Sequence, residues 1–538
     1  MANFGSPDGD LGNIFITDYA MIDRFAMTGS LWAWGLNFAG QLGDNTTVAK
    51  SSPVQTIAGG TNWKQVACGV YHTSAIKTDG TLWTWGYNSF GQLGDNTTAW
   101  RSSPVQTISA GTNWKQVACG VYHTSAIKTD GSLWTWGYNP YGQLGDNTTV
   151  DKSSPVQTVA GGTNWKQVAC GYKNTSAIKT DGTLWTWGEN YYGQLGDNTQ
   201  VNKSSPVQTI AGGTNWKQVS CGGNRTSAIK TDGTLWAWGW NVYGQLGDNT
   251  QVNKSSPVQT IAGGTNWKQV ACGYNTSAIK TDGTLWTWGY NGDGQLGDNT
   301  TTDKSSPVQT ISAGTNWKQV AGGAFHISAI KTDSTLWTWG WNYYGQLGDN
   351  TRVDKSSPVQ TVSAGTNWKQ VACGQYHTSA IKTDGSLWVW GRNSEGQLGD
   401  NTAINISSPV QTIAGGTNWK QVAGGFYHTS AIKTDGTLWV WGWNVYGQLG
   451  DNTQVNKSSP VQTIAGGTNW KQVACGYKNT SAIKTDGSLW TWGYNNYGQL
   501  GDNTTVWKSS PVQTIAGGTN WKQVACDFGH TSAIKDDF

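Results

Sequence analysis

Six histidines, eight cysteines and two glutamates are the residues of this 538-residue chain whose chemistry could run a reaction or hold a metal. His72, His123, His326, His377, His428 and His530 all occupy one position of a repeating sequence, and Asn174, Arg225, Asn275 and Asn479 fill that position elsewhere. Catalysis would not need six copies of one group, and a metal ligand would not alternate with Arg. The slot is therefore read as structural, its side chain bonding a backbone group where units meet. Cys68, Cys119, Cys170, Cys221, Cys272, Cys373, Cys475 and Cys526 likewise share one slot, which Gly322 and Gly424 fill in two units. A residue that Gly can replace fills a small, tight space and is not a bridge or a ligand. Reduced thiols also suit assembly in a cytoplasm. Glu189 and Glu395 fall four units apart. On a closed ten-unit ring that is about 144°, too far for a paired general acid and base. Gly43-Asp44-Asn45 and its copies bring one acid per loop, too few for a calcium cage. No enzyme, metal or cofactor is expected.

These slots belong to ten near-copies of a 51-residue unit, broken only by a one-residue deletion before Thr276. LW-x-WG, GQLGDNT, SSPVQT, NWKQV and SAIK recur in step. A period of this length means a solenoid or a propeller, each unit burying its apolar face on its neighbours. In one unit, Leu82–Gly86, Pro104–Thr107, Trp114–Gly120 and Thr124–Thr129 read as four short strands. Asp130-Gly131 reads as a two-residue type I′ hairpin turn, and Asp333-Ser334 as a strained or altered one. Thirty of the 35 tryptophans sit at fixed positions such as Trp83, Trp85 and Trp114 and are assigned to the core. Each can bury ~150–250 Å², or ~4–6 kcal/mol gross.

The first unit, opening at Ser30, has no SAIK strand of its own, and the last has no following LW-x-WG strand. Pairing the two would split one blade between the ends of the chain and remove two exposed edges. The expected fold is therefore all-β: a single closed β-propeller of ten four-stranded blades over residues 30–538, preceded by a non-repeat segment, 1–29.

The run Trp85-Gly86-Tyr87-Asn88-Ser89-Phe90-Gly91-Gln92-Leu93-Gly94, with Gly120-Val121-Tyr122-His123, resembles the regulator of chromosome condensation repeat, found also in the propeller-type β-lactamase inhibitor protein. The resemblance implies a propeller. The chain departs from the family's usual seven blades, has Asn96 where a Gly often follows GQLG, and carries unusually similar units. Family members range from an exchange factor to enzyme inhibitors, so fold does not fix activity. The exchange-factor role needs an insertion for which this period has no room.

Positions that differ among the copies are candidates for binding. They lie after LW-x-WG, before SSP, and between Cys-Gly and Thr-Ser-Ala-Ile. The candidates are Tyr87, Trp100, Tyr138, Trp240, Tyr290, Trp341, Arg392, Trp443, Tyr494 and Trp507. Aromatic loops on a rigid scaffold suit a protein or sugar-ring contact, and packing between blades is the competing reading.

Net charge is +3 with 12% charged residues, and most Lys lies beside repeated Asp. Nucleic-acid binding is not indicated. No run is long or apolar enough for membrane insertion, and no conventional signal peptide is evident. In the leader, Asp18 could cap a short helix carrying Tyr19, Ile22 and Phe25, which with Phe15 form an expected anchor. The lead-in to LWAWGLNFAGQLGDNTT also resembles proteins of tailed bacteriophages of aquatic bacteria. That resemblance implies a virion component assembled in a host cytoplasm. It would be held to other virion proteins through residues 1–29, would face a host-surface glycan or protein, and could be a homo-oligomer. The alternative is a soluble bacterial interaction module or enzyme inhibitor in the bacterial cytoplasm.

Overall fold

The computed structural model describes residues 14–16 and 31–535, except 36, 49, 58–61, 70, 109–110, 222–223, 262–266, 273–274, 311–315, 323–324, 363–366, 477, 497–499, 503, 515–517 and 527–529. The described residues form 41 strands, β1 to β41, and no helix. They make nine four-stranded sheets and one five-stranded sheet, all antiparallel. One sheet runs Trp63–Cys68 (β4), His72–Lys77 (β5), Leu82–Gly86 (β6) and Arg101–Gln106 (β7), in that spatial order. The expected strands are all present. The SSPVQ strand starts three residues earlier than its Pro suggested, because Arg101 pairs with Gly86 across a bulge.

The chain's two end portions share a sheet, in the order Lys50–Gln55 (β3), Trp32–Gly35 (β2), His530–Lys535 (β41), Trp521–Cys526 (β40). Ala33, Trp34 and Gly35 face Ser532, Thr531 and His530, the register that Thr135, Trp136 and Gly137 hold against Ser125, Thr124 and His123. The fifth strand of the remaining sheet is Ile14–Ile16 (β1), which places Phe15 opposite Ala271 on Trp267–Cys272 (β20). The expected anchor residues Tyr19, Ile22 and Phe25 lie outside the described residues, as does the proposed Asp18 cap.

Successive sheets are held by one interface used repeatedly. Ile127 and Leu133 of one sheet pack on Trp165, Val168, Ala177 and Trp187 of the next. Ile178 and Leu184 then repeat this on Trp216, Val219, Ala228 and Trp238. The shared sheet takes part on both sides: Ile483 and Leu489 meet its Trp521 and Val524, while Leu31, just ahead of β2, packs with Trp63, Ala75 and Trp85.

Two fixed polar groups reinforce this packing. The SAIK lysine inserts between two tryptophans of its own sheet, Lys179 Nζ lying 4.8 Å from both Trp165 and Trp185. The NWKQV glutamine reaches across to the next sheet. Gln65 Nε2 donates to Val117 O at 3.1 Å while Val117 N donates to Gln65 Oε1 at 3.2 Å. These bonds cap the free edge of the strand in the next sheet that matches β4 and bring the successive WKQVAC strands together. They are therefore the innermost strands of a radial array.

The hairpin turn differs from the expected one. Gly131 N donates to Lys128 O at 2.9 Å and Lys128 N to Ser132 O at 3.0 Å, enclosing a three-residue loop. Gly131 lies at φ +81° and Asp130 does not have positive φ, so this is a type I turn ending in a glycine bulge, not type I′. Asp130 Oδ1 holds it by accepting from Ser132 N and Oγ at 2.8 and 2.7 Å. Ser334 keeps the turn's hydrogen bonds but sits at φ +65°, so that copy is strained without being altered.

Ser334→Gly should therefore stabilise the protein by ~1 kcal/mol, read as a raised melting temperature. Gly131→Ser should lower it, since an added Cβ would meet Thr163 O at 2.1 Å. Removing residues 532–538 should sharply lower the melting temperature, because β41 would lose its pairing with β2 beyond His530 and Thr531. Unchanged melting would contradict that role for the shared sheet.

Candidate functional site

The three variable stretches meet on one face, held there by residues that do not vary. Tyr138 N donates to Tyr122 O at 2.9 Å, joining the stretch after LW-x-WG to the stretch before TSAI. The adjoining Asn139 ties in the rest. Its Nδ2 donates to Asp146 Oδ1 (3.1 Å) and Val150 O (3.1 Å), its Oδ1 accepts from Leu144 N (2.9 Å), and its own N–H donates to Asp151 ahead of SSP (2.7 Å). Asn147, at φ +65°, takes the left-handed position and reaches the next unit as an acceptor, its Oδ1 accepting from Ser205 Oγ at 3.0 Å. That bond accounts for Asn where the family often has Gly.

On this framework the aromatics form arcs. In the first, Tyr87 lies 5.0 Å from Trp100 and 5.8 Å from Tyr122, Phe90 lies 4.7 Å from Tyr138, and Phe38 reaches Tyr71 at 5.1 Å. Trp100 Nε1 donates to Ser89 Oγ at 2.9 Å, leaving the ring 42% exposed. A shorter arc joins Trp240, Tyr243 and Tyr290 through contacts of 5.6 and 5.3 Å. The longest runs from Trp341 through Tyr376 (5.5 Å) and Tyr427, and on from Tyr427 to Trp443 (5.7 Å) and Tyr446 (5.1 Å). It ends where Tyr446 meets Tyr494 at 5.1 Å and Trp507 at 4.6 Å. Arg392 lies inside this arc, its guanidinium carbon 4.3 Å from the Tyr427 ring centre. Burial raises the Tyr122, Tyr138 and Tyr290 hydroxyls above the usual tyrosine range.

Every candidate residue is thus on this face. All ten touch another aromatic or, for Arg392, lie over one. Apart from Trp100, all are half-buried. Packing and presentation coexist: rings lean on rings of adjacent units and remain partly exposed. Charged groups interrupt the arcs. Lys173 pairs with Glu189 at 3.5 Å, and burial, then the Asp354 charge, raises the Asp293 carboxyl.

The histidines are buried relays between sheets. His123 Nε2 lies 3.0 Å from Thr175 Oγ1, whose hydroxyl donates to Gln143 O at 2.9 Å. The hydroxyl proton is thereby used, so Nε2 carries the hydrogen and donates. The partner is a hydroxyl of the next sheet, not the expected backbone group. Burial lowers His72 and His377 to about 4 and His123, His326 and His428 to about 3. The cysteines also bridge sheets, as Cys170 Sγ donates to Ser125 Oγ at 3.3 Å. Burial raises the Cys221 and Cys373 thiols to about 11. Among the described residues no group of three or more His, Cys, Asp or Glu is placed to hold a metal. Glu395 accepts from Asn456 Nδ2 at 2.7 Å and pairs with Arg392, away from Glu189.

The RCC1-like domain family matches residues 22–261 and 208–533. The chain belongs to this family. It is 32% identical to the ultraviolet-B receptor UVR8 of Arabidopsis thaliana, over 70% of this chain and 76% of that one. It is 30% identical to the mouse E3 ubiquitin-protein ligase HERC2, over 79% of this chain but 8% of that one. Among solved structures, yeast Prp20p aligns with 97% of this RCC1-like chain and 95% of its own, at 15% identity and a TM-score of 0.44.

Because these histidines are neutral when folded and have an unfolded pKa near 6.5, acid favours unfolding. Stability is complete above about pH 6.5 and falls below it by ~1.4 kcal/mol per pH unit for each histidine, until the folded pKa is reached. Melting followed from pH 7 to about 5 should show this loss, and His123→Asn, which introduces the residue of the fourth unit, should reduce its slope. A flat profile would contradict the assignment.

Proposed function

We propose that this chain is a non-catalytic protein-binding module: ten blades closing in a single ring, with the aromatic face taking the partner. The observation that carries the reading is the pair of long aromatic arcs, each continuous across several units and partly exposed. Such arcs offer large rigid area at low entropy cost, as binding surfaces of proteins do. Ring closure is supported by the sheet shared between the two end portions and by its packing on both neighbours. Kinship supports a regulatory or binding role, since similar proteins are named as a receptor and, in Caenorhabditis elegans, a GTPase regulator homolog. Prp20p is described by its binding to Gsp1p and histones. These relatives favour the interaction module over the virion component, which rests on the short leader resemblance alone. The ligase activity of HERC2 is not carried over, because the matched portion is a small part of that protein.

Cross-linking mass spectrometry on captured partners should place the cross-links on the loops around Trp100, Tyr376 and Trp443. Trp100→Ala with Trp443→Ala should reduce capture by about tenfold or more, an interface-core loss of ~1.4 kcal/mol or above, with melting little changed. Undiminished capture would overturn the reading.

A further inference from the structure

Three series of cations repeat through the chain, and two are matched. Outer-strand lysines pair with the GDNT aspartates: Lys152 with Asp146 at 3.3 Å, Lys203 with Asp197 at 3.2 Å and Lys254 with Asp248 at 2.9 Å. The SAIK lysines lie between tryptophans and beside the turn aspartates, as Lys128 does with Trp114, Trp134 and Asp130. The NWK lysines differ. Lys64, Lys115, Lys166, Lys217, Lys318, Lys369, Lys420 and Lys471 are exposed, with no ion pair, hydrogen bond or ring contact among the described residues. The sequence carries ten of them, one per unit. They stand on innermost strands, Lys64 and Lys115 beside the Gln65 and Gln116 that bridge to the next, at the end where Trp114 N donates to Gly80 O of the neighbouring hairpin turn. About 13 Å of strand separates this end from the aromatic face.

We propose that the mouth of the ring at the hairpin-turn end binds an extended acidic peptide, whose carboxylates engage the NWK lysines. The proposal rests on the ring closing as described above. The ammonium groups of this series, eight of them among the described residues, repel one another around one opening and raise the local concentration of anions. The aspartates cannot relieve this, since GDNT aspartates such as Asp95 and Asp146 are engaged by an outer Arg or Lys, Asp400 opposite Ile406 is held by Asn393 and Thr402, and the turn series is engaged by its own Thr or Ser and the SAIK lysines. A peptide fits better than nucleic acid. Lysine offers point charges rather than the planar fork that grips phosphate, and the tryptophan faces at this end are occupied by the SAIK lysines, leaving no platform for bases. Where the glutamine bridges occupy the inner edges, the peptide does not add as a strand. Binding is therefore governed by charge, tolerant of sequence and weakened by salt.

Fluorescence anisotropy with a labelled polyglutamate peptide of about a dozen residues tests this on the full chain. Polyglutamine and oligothymidylate of similar length serve as comparisons. Polyglutamate should bind most tightly, and K64Q/K166Q/K318Q/K420Q should weaken it by about tenfold or more, while W100A/W443A leaves it unchanged. Should the quadruple variant fail to fold, lysine acetylation of the wild type read by mass spectrometry decides the matter: bound peptide should protect Lys64 and its copies and not Lys152. Polyglutamate binding no better than polyglutamine would overturn the proposal, as would tighter oligothymidylate binding, full binding by a folded quadruple variant, or no selective protection. Partner capture that depends on the aromatic face would survive any of these failures, and loss of that capture would leave the peptide result standing.

Discussion

Among the described residues, successive sheets meet through two unlike apolar faces, and burial of both is favoured over contact with water. One presents Ile and Leu, the other two tryptophans with Val and Ala. Each face is complementary to the opposite face of its neighbour, so a sheet can be buried only between two others. Any open array would leave one aliphatic and one tryptophan face exposed at its ends. The sheet shared by β2, β3, β40 and β41 offers Trp521 and Val524 to one neighbour and lies against Trp63 and Trp85 of the other through Leu31. Closure is the arrangement that this asymmetry favours.

The same packing sets the aromatic face. Because the interface repeats, loops following LW-x-WG strands arrive beside those of the next sheet, near enough for ring contacts such as Phe90 with Tyr138 and Tyr243 with Tyr290. A Tyr or Trp there touches its own unit and an adjacent one, as Phe90 does with Tyr138. The fixed Asn that follows holds the loop whatever the variable side chains are, through bonds such as Asn139 to Asp146 and Val150. Variation at the surface is thereby uncoupled from stability in the core. The buried His–Thr relays tie adjacent sheets on the way to this face and add an acid sensitivity to the scaffold itself.

Strand positions, the tryptophan core and the pairing of β2 with β41 were legible because they follow from periodicity and from complementary end segments. The turn was misread. Asp-Gly is the type I′ signature, but Thr129 joins the loop and leaves Gly131 alone at positive φ. Periodicity also gave no hint that Lys179 would lie between Trp165 and Trp185, or that Gln65 would cap the next inner strand, since both depend on contacts across strands or sheets. The apparent balance of Lys and Asp concealed that the NWK lysines among the described residues have no acid paired with them. The variable aromatics were identifiable one by one. Their continuity was not, because it is created by backbone bonds such as Tyr138 to Tyr122 and by the approach of neighbouring units.

The number and closure of the blades are read most directly by electron microscopy of single particles viewed end-on. Class averages should show a continuous ring of ten equivalent lobes around a central opening. An arc with a gap, an extended superhelix or a ring with fewer lobes would contradict the claim that one asymmetric interface, repeated and closed by a shared sheet, determines this fold.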